Sequence, residues 1–156
     1  MKKLLALLIL CLGLNLNAQD SEKQRVKATI IKFFEAFHKQ DTTTLKAMAK
    51  GDIKLQSISV NREGQSVLSE SEYGQFLKSI ASIPAENTFE EKLLSFNIQV
   101  DGNMANAWTP YEFWYNGNFS HCGVNSFQLM KGDNEWKIIY LVDTRRREGC
   151  QDHSKN

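Results

Sequence analysis

The chain predicts an α+β fold: two or three helices come first, and a long antiparallel meander then forms one curved sheet with the helices on one face. Three observations predict it. Before about residue 80 apolar residues recur at helical spacing in three stretches, interrupted by one short alternating run. From about residue 89 onward they alternate with a period of two. The dipeptides Asp101-Gly102 and Asn116-Gly117 punctuate that second half as hairpin turns.

The first 18 residues stand apart from this plan. Lys2 and Lys3 precede an apolar run from Leu4 to Leu14, and small and polar residues follow as far as Ala18. That is the layout of a secretory signal peptide, with an apolar run too short to span a bilayer. A lipid anchor on Cys11 is the competing reading, but Leu8, Ile9 and Leu10 precede it where a small residue is wanted. Residues 1–18 are therefore expected to be a signal peptide and 19–156 a single domain. The protein is expected to be exported, periplasmic or secreted, with no membrane span. The remaining length, roughly 138 residues, suffices for one core.

Loss of Lys2 and Lys3 takes the basic residues from 19 to 17 against 18 acidic ones, so the formal balance moves from +1 to −1. A near-neutral chain gives no reason to expect nucleic acid as a partner. The one basic cluster, Arg145 to Arg147, reads as a solvated strand end in preference to an anion site. Without Cys11 the cysteines are an even pair, Cys122 and Cys150, and in an oxidising compartment they predict a disulfide. The alternative is a zinc set of His121, Cys122, Cys150 and His153. It is disfavoured because neighbours on a strand point to opposite faces, and no metal is expected.

The elements follow in order. Asp20 or Ser21 is placed to cap a first helix whose Val26, Ile30, Phe33, Phe34 and Phe37 form one apolar face. A break at Gln40 and Asp41 leads to a short second helix over about 43–49, stopped near Gly51. Ile53, Leu55, Ser57 and Ser59 alternate as a first strand. Ser69 and Glu72 have the spacing of a capping box for a third helix carrying Tyr73, Phe76, Leu77 and Ile80, with Pro84 just beyond its end. Strands are then expected over about 89–100, 104–115, 119–131 and 135–144, with a third turn at Gly132 to Asn134.

The order of elements, the strand from Ala105 to Tyr115, the Phe127-Gln128-Leu129 run and Glu135 to Ile138 together resemble the nuclear transport factor 2-like superfamily, closest to its SnoaL-like and ketosteroid isomerase-like branches. The resemblance spans essentially the whole mature chain. It implies a cone, in which a strongly curved sheet wraps the N-terminal helix and leaves a pocket open at one end, and it implies pairing as a homodimer through the outer sheet face. Members include isomerases, dehydratases, cyclases and many proteins without catalysis, so the resemblance specifies fold better than activity.

Pocket residues depend on strand register. His121, Asn125 and Phe127 share one face of their strand, and a two-residue turn at 133–134 places Tyr140 and Val142 with them. The neighbouring strand gives conflicting signals. A two-residue Asn116-Gly117 turn sets Trp108 and Glu112 on that face, opposite Asn125 and His121. A two-residue Asp101-Gly102 turn puts Tyr111 and Phe113 there instead. Both hold only with a bulge or a longer loop, and Pro110 is a reasonable bulge site. The reading with Tyr111 and Phe113 inward is preferred, and Trp108 and Glu112 stay as the alternative.

An isomerase-like site needs a carboxylate in an apolar pocket beside hydroxyl donors. Tyr111 and Tyr140 supply hydroxyls, but Glu112 faces inward only in the second register, and Asp143 alternates away from Tyr140. Asp52 lies just before the first strand, where catalytic acids of the similar family can sit, but the match there carries no role over. No glycine-rich phosphate loop, nucleophile elbow or paired-histidine helix is present, and no cofactor is expected. The triplet Asn118-Phe119-Ser120 fits a glycosylation acceptor, discounted because the signal looks bacterial. The leading expectation is an exported protein that binds a small apolar molecule. An isomerase, dehydratase or cyclase using the same pocket and a non-catalytic interaction protein are the alternatives. A carboxylate deep in the cavity beside a tyrosine would favour the enzyme.

Overall fold

The structure, a computed structural model, describes residues 2–150, with side chains described from Gln19 onward. The signal-peptide reading of residues 1–18 rests on side chains outside that description, as does His153 of the zinc alternative. Among the described residues no helix is long and apolar enough to cross a membrane.

The helices are α1 (Lys2–His38), α2 (Thr42–Met48) and α3 (Tyr73–Ala81). The strands are β1 (Lys54–Val60), β2 (Ser66–Glu72), β3 (Phe89–Leu93), β4 (Asn97–Asp101), β5 (Met104–Tyr115), β6 (Asn118–Gly132) and β7 (Glu135–Arg145). They form one curved, unclosed sheet in the order β2-β1-β7-β6-β5-β3, with β4 also paired to β5. All pairs are antiparallel except β1 with β7.

The apolar face of α1 does what its spacing requires. Val26 and Ile30 are fully buried, and Phe33 and Phe34 pack edge-on against Phe127 of β6 at 5.9 and 6.0 Å. Each such ring buried against the sheet contributes on the order of 2–3 kcal/mol. Neither Asp20 nor Ser21 caps this helix, because α1 continues through both. Asp41 does cap α2, accepting the Thr44 N–H at 2.9 Å, after Gln40 turns the chain with a φ of 55°.

Ser69 and Glu72 do not form a capping box. Ser69 lies in the unexpected strand β2, paired with Ser57, and Glu72 precedes α3 without a side-chain cap. β2 escapes the sequence because every one of its residues is exposed, which leaves no alternation to read. The strand expected over 89–100 is two strands, β3 and β4, parted at residues 94–96. That break changes which residues face in: Phe89 and Leu93 before it, Ile98 and Val100 after it.

The register conflict at β5 resolves through bulges, and Pro110 is at neither of them; it pairs regularly with Val124. The Asn116-Gly117 turn has two residues, with Tyr115 opposite Asn118. The register then shifts, because Phe119 pairs with Trp114 and His121 with Phe113, so Ser120 is the extra residue. Thr109, Tyr111 and Phe113 consequently face inward together with His121, Gly123 and Asn125. A second shift lies on β7, where Ile138 pairs with Leu129 but Tyr140 pairs with Gln128, leaving Ile139 as the extra residue. From there Leu141 and Asp143 face in, and Tyr140 and Val142 face out.

Cys122 and Cys150 are joined, with sulfurs 2.07 Å apart. The bond excludes the zinc alternative.

Candidate functional site

Between α1, α3 and the sheet lies a cavity of about 290 Å³, at the small end of the range for ligand sites. Phe33, Phe34 and Phe37 of α1 form its apolar wall with Phe76 of α3, and Leu55 and Leu141 extend that wall on the sheet. Ser57, Ser69 and Ser71 on β1 and β2 add hydroxyls to one side. The other side holds Glu91 of β3, Asn125 of β6, and Asp143 and Arg145 of β7. Four polar groups converge on an otherwise aromatic space.

Each is put there by identifiable chain features. Glu91 sits between Phe89 and Leu93 on the inward face of β3, and its backbone N–H donates to His38 Nε2 at 2.8 Å, which ties β3 to the end of α1. Burial holds the His38 pKa below its usual value, consistent with a neutral ring that accepts this bond. Asp143 faces inward because of the Ile139 bulge, in register with Asn125 on one side and Ser57 on the other. Gly123 makes room for the centre of the site. A Cβ there would stand 1.8 Å from the Thr144 carbonyl oxygen and 2.8 Å from the Tyr111 ring, so only glycine lets that ring lie across β6.

The resulting geometry joins four strands. Asn125 Nδ2 donates to Glu91 Oε1 at 2.7 Å. The Tyr111 hydroxyl lies 3.2 Å from Asp143 Oδ2 and 3.0 Å from the Thr144 carbonyl oxygen, with one proton to share between them. Arg145 Nε donates to Asp143 Oδ2 at 2.8 Å. Asp143 therefore has a cation and a hydroxyl, whereas Glu91 has one neutral amide.

That difference sets the electrostatics. Desolvation pushes the Glu91 carboxyl from an ordinary 4.5 up to about 8, and the Asp143 charge adds to the rise, against the Asn125 hydrogen bond and the Arg145 charge. Burial first, and the Asp143 charge next, raise the Tyr111 phenol well above its usual value, so it remains a donor. Glu70 also borders the cavity, but its carboxylate is turned to Gln56 at 3.0 Å and Lys54 at 3.5 Å. A mostly protonated Glu91 beside a salt-bridged Asp143 is a pair of carboxyl groups whose surroundings separate their roles. One can give or take a proton near neutral pH, and the other is held by Arg145 and Tyr111.

The residues expected at the pocket are divided. Asn125 lines the cavity and Tyr111 touches its lining through Asp143. Phe127 is packed core, and Phe113 stacks between Phe89 and His121 at 6.3 and 4.9 Å. His121 lies on the inward face but beyond Tyr111, in an adjoining recess. Trp108 is 52% exposed on the outer face. Tyr140 is on that face too, its hydroxyl donating to the Gln56 side chain, because the Ile139 bulge reverses the strand. Glu112 pairs with Cys122, not His121, and accepts from Trp114 Nε1 at 3.2 Å on the same outer side. Glu91, Arg145 and the serines were not anticipated. The alternation Phe89-Glu91-Leu93 was the available signal, but it was masked by extending the pattern of residues 94–100 backward across the break.

No family profile and no curated protein matches this chain. Solved structures do. A protein from Mycobacterium tuberculosis of unknown function superimposes with a TM-score of 0.67 at 15% identity, over 86% of this chain and 77% of that one. A candidate dehydratase of the NTF2-like family from Streptomyces avermitilis gives 0.60 at 17% identity, over 81% and 97%. The β subunit of a candidate aromatic-ring-hydroxylating dioxygenase from Novosphingobium aromaticivorans gives 0.64 at 9% identity, over 81% and 90%. With its helices held in a curved, unclosed sheet, the chain is an α+β protein of the nuclear transport factor 2-like fold.

Proposed function

We propose that this protein binds a small, mainly apolar molecule in the aromatic cavity and performs general acid–base chemistry on it, of the isomerase or dehydratase type. One observation carries the reading: Glu91, with a pKa raised to about 8 and a single amide partner, opens onto an apolar cavity beside Tyr111 and Asp143. A group poised near neutral pH is what proton transfer at a carbon or a leaving hydroxyl requires. The Asn125 amide supplies a donor for an oxygen that gains charge, and Tyr111 holds Asp143 in place behind it. The dehydratase name attached to a structural neighbour supports the class and nothing narrower.

The test is exchange of α-protons for deuterium in a panel of small cyclic ketones and enones, followed by NMR in heavy water. Exchange above the buffer rate, reduced by about 10²- to 10⁴-fold in Glu91→Gln, is expected. Ketones that bind without exchanging would leave a binding protein. A cavity that takes none of them would sink the proposal.

Export through residues 1–18 and a homodimer belong to the same proposal. The disulfide supports export. The dimer is supported by exposed Met104, Trp108 and Ile139 on the sheet. Sedimentation at tens of micromolar, on the order of ordinary working concentrations, is expected to show two copies; a monomer there would reject a stable dimer.

A further inference from the structure

Beside the cavity lies a more open recess of about 620 Å³, where the ends of β1 and β7 and the start of β6 meet the chain that runs on to Cys150. Its walls include Ser59, His121, Arg145, Arg146, Arg147 and Glu148, so three guanidinium groups face one carboxylate. Arg145 lines both spaces.

The cations are unequally engaged. Arg145 commits Nε to Asp143 at 2.8 Å. Arg146 donates to the carbonyl oxygen of Glu148 at 3.1 Å and to that of Gly149. Among the described residues Arg147 makes no hydrogen bond or ion pair. The segment is nonetheless fixed, because Cys122 and Arg146 exchange both backbone hydrogen bonds at 3.0 Å and the disulfide closes the loop behind them. Burial and then the charge of Arg145, with Arg147 adding, lower the pKa of His121, while Asp143 opposes them; the recess is net positive at the ring.

We infer that the molecule held in the cavity is a monoanion: an apolar body inside, with a carboxylate head that passes Arg145 and is held in the recess by Arg145 and Arg147. The inference rests on the cavity being a ligand site. A planar guanidinium matches a carboxylate fork to fork. A single negative charge matches the excess of three guanidinium groups over the carboxylates of Asp143 and Glu148, whereas a dianion would exceed it. A neutral apolar ligand would leave the uncommitted guanidinium at the mouth without purpose for recognition.

Titration calorimetry with 4-phenylbutyrate and with its amide, equal in shape and uncharged, tests this on the wild type, Arg147→Gln and Leu141→Trp. Ser57→Met serves as the cavity-filling variant if Leu141→Trp does not fold. The carboxylate is expected to bind about tenfold or more tightly than the amide, by the strength of a charge-assisted bond. That advantage should shrink to about twofold in Arg147→Gln and in about 0.5 M salt, with the amide unaffected. Filling the cavity should weaken both. Equal affinities, both lost on filling the cavity, leave the ligand site standing and overturn the anionic head. Carboxylate binding that ignores the filled cavity overturns the link between the two spaces. Binding of neither compound overturns the inference and the ligand site together.

Discussion

Glu22 and Glu91 are both held by hydrogen bonds between α1 and the sheet or within it, yet their carboxyl groups are driven in opposite directions. Glu22, on α1, receives Lys131 Nζ, Trp136 Nε1 and Arg25 Nη1, each at 2.9 Å, and these donors hold it down at about 2. Glu91 receives one amide and is pushed up to about 8. Three donors, two of them charged, outweigh desolvation at the first glutamate; at the second, desolvation wins. The lesson is one of division of labour. Glu22 fastens the helix to the β6–β7 hairpin with its charge fully compensated, and the cavity keeps a carboxyl group whose charge the protein declines to compensate.

The sharpest break of this comparison is Gly123→Ala. The added methyl has no place against the Thr144 carbonyl and the Tyr111 ring, so the cavity cluster must come apart while the Glu22 cluster is untouched. A loss of about 3 kcal/mol or more is expected in urea unfolding, at the upper end for overpacking because the obstacle is backbone. An unchanged midpoint would mean that Tyr111 is not held across β6.

Removal of the disulfide by Cys122→Ala with Cys150→Ala comes next, at about 3 kcal/mol from the entropy of a loop closed over a sequence separation of 28. It acts on the arginine segment at the cavity end, so ligand affinity should fall beyond what the lost stability explains.

Glu91→Gln has an effect whose sign depends on pH. Between about 4.5 and about 8 the unfolded chain has released the Glu91 proton while the folded chain keeps it, so stability declines as pH rises through that window. The substitution should change little at pH 4 and stabilise the protein at pH 9 by on the order of 2 kcal/mol, well short of full linkage because the cavity admits water. Thermal melts across pH check it, and a variant destabilised at high pH would overturn the environment assigned to Glu91.

Glu22 gives the smallest and opposite response. Its folded pKa lies below the ordinary 4.5, so its contribution is present above that value and is lost as pH falls toward about 2. Glu22→Gln should therefore lower the melting temperature above about pH 4.5 and converge with the wild type toward pH 2, which flattens the acid limb. A loss centred near pH 8 would reverse the two assignments.

The sequence by itself determined the class of fold. The 3.6-residue spacing of Val26, Ile30, Phe33, Phe34 and Phe37 demanded a buried helix face, the alternation and turn dipeptides after residue 89 demanded hairpins, and the even cysteine pair carried the disulfide. These are local signals, readable because each element must hide its own apolar side. The cavity was decided by tertiary structure. A strand pattern fixes which residues share a face but not which face is inside once an extra residue enters, and single insertions at Ser120 and Ile139 reconcile the two β5 turns and turn Tyr140 out and Asp143 in. The break at residues 94–96 hid Glu91 in the same way. What makes that carboxyl chemically useful, the desolvation that outweighs its one amide partner, comes from four strands and a helix closing around it, and no window of sequence contains them.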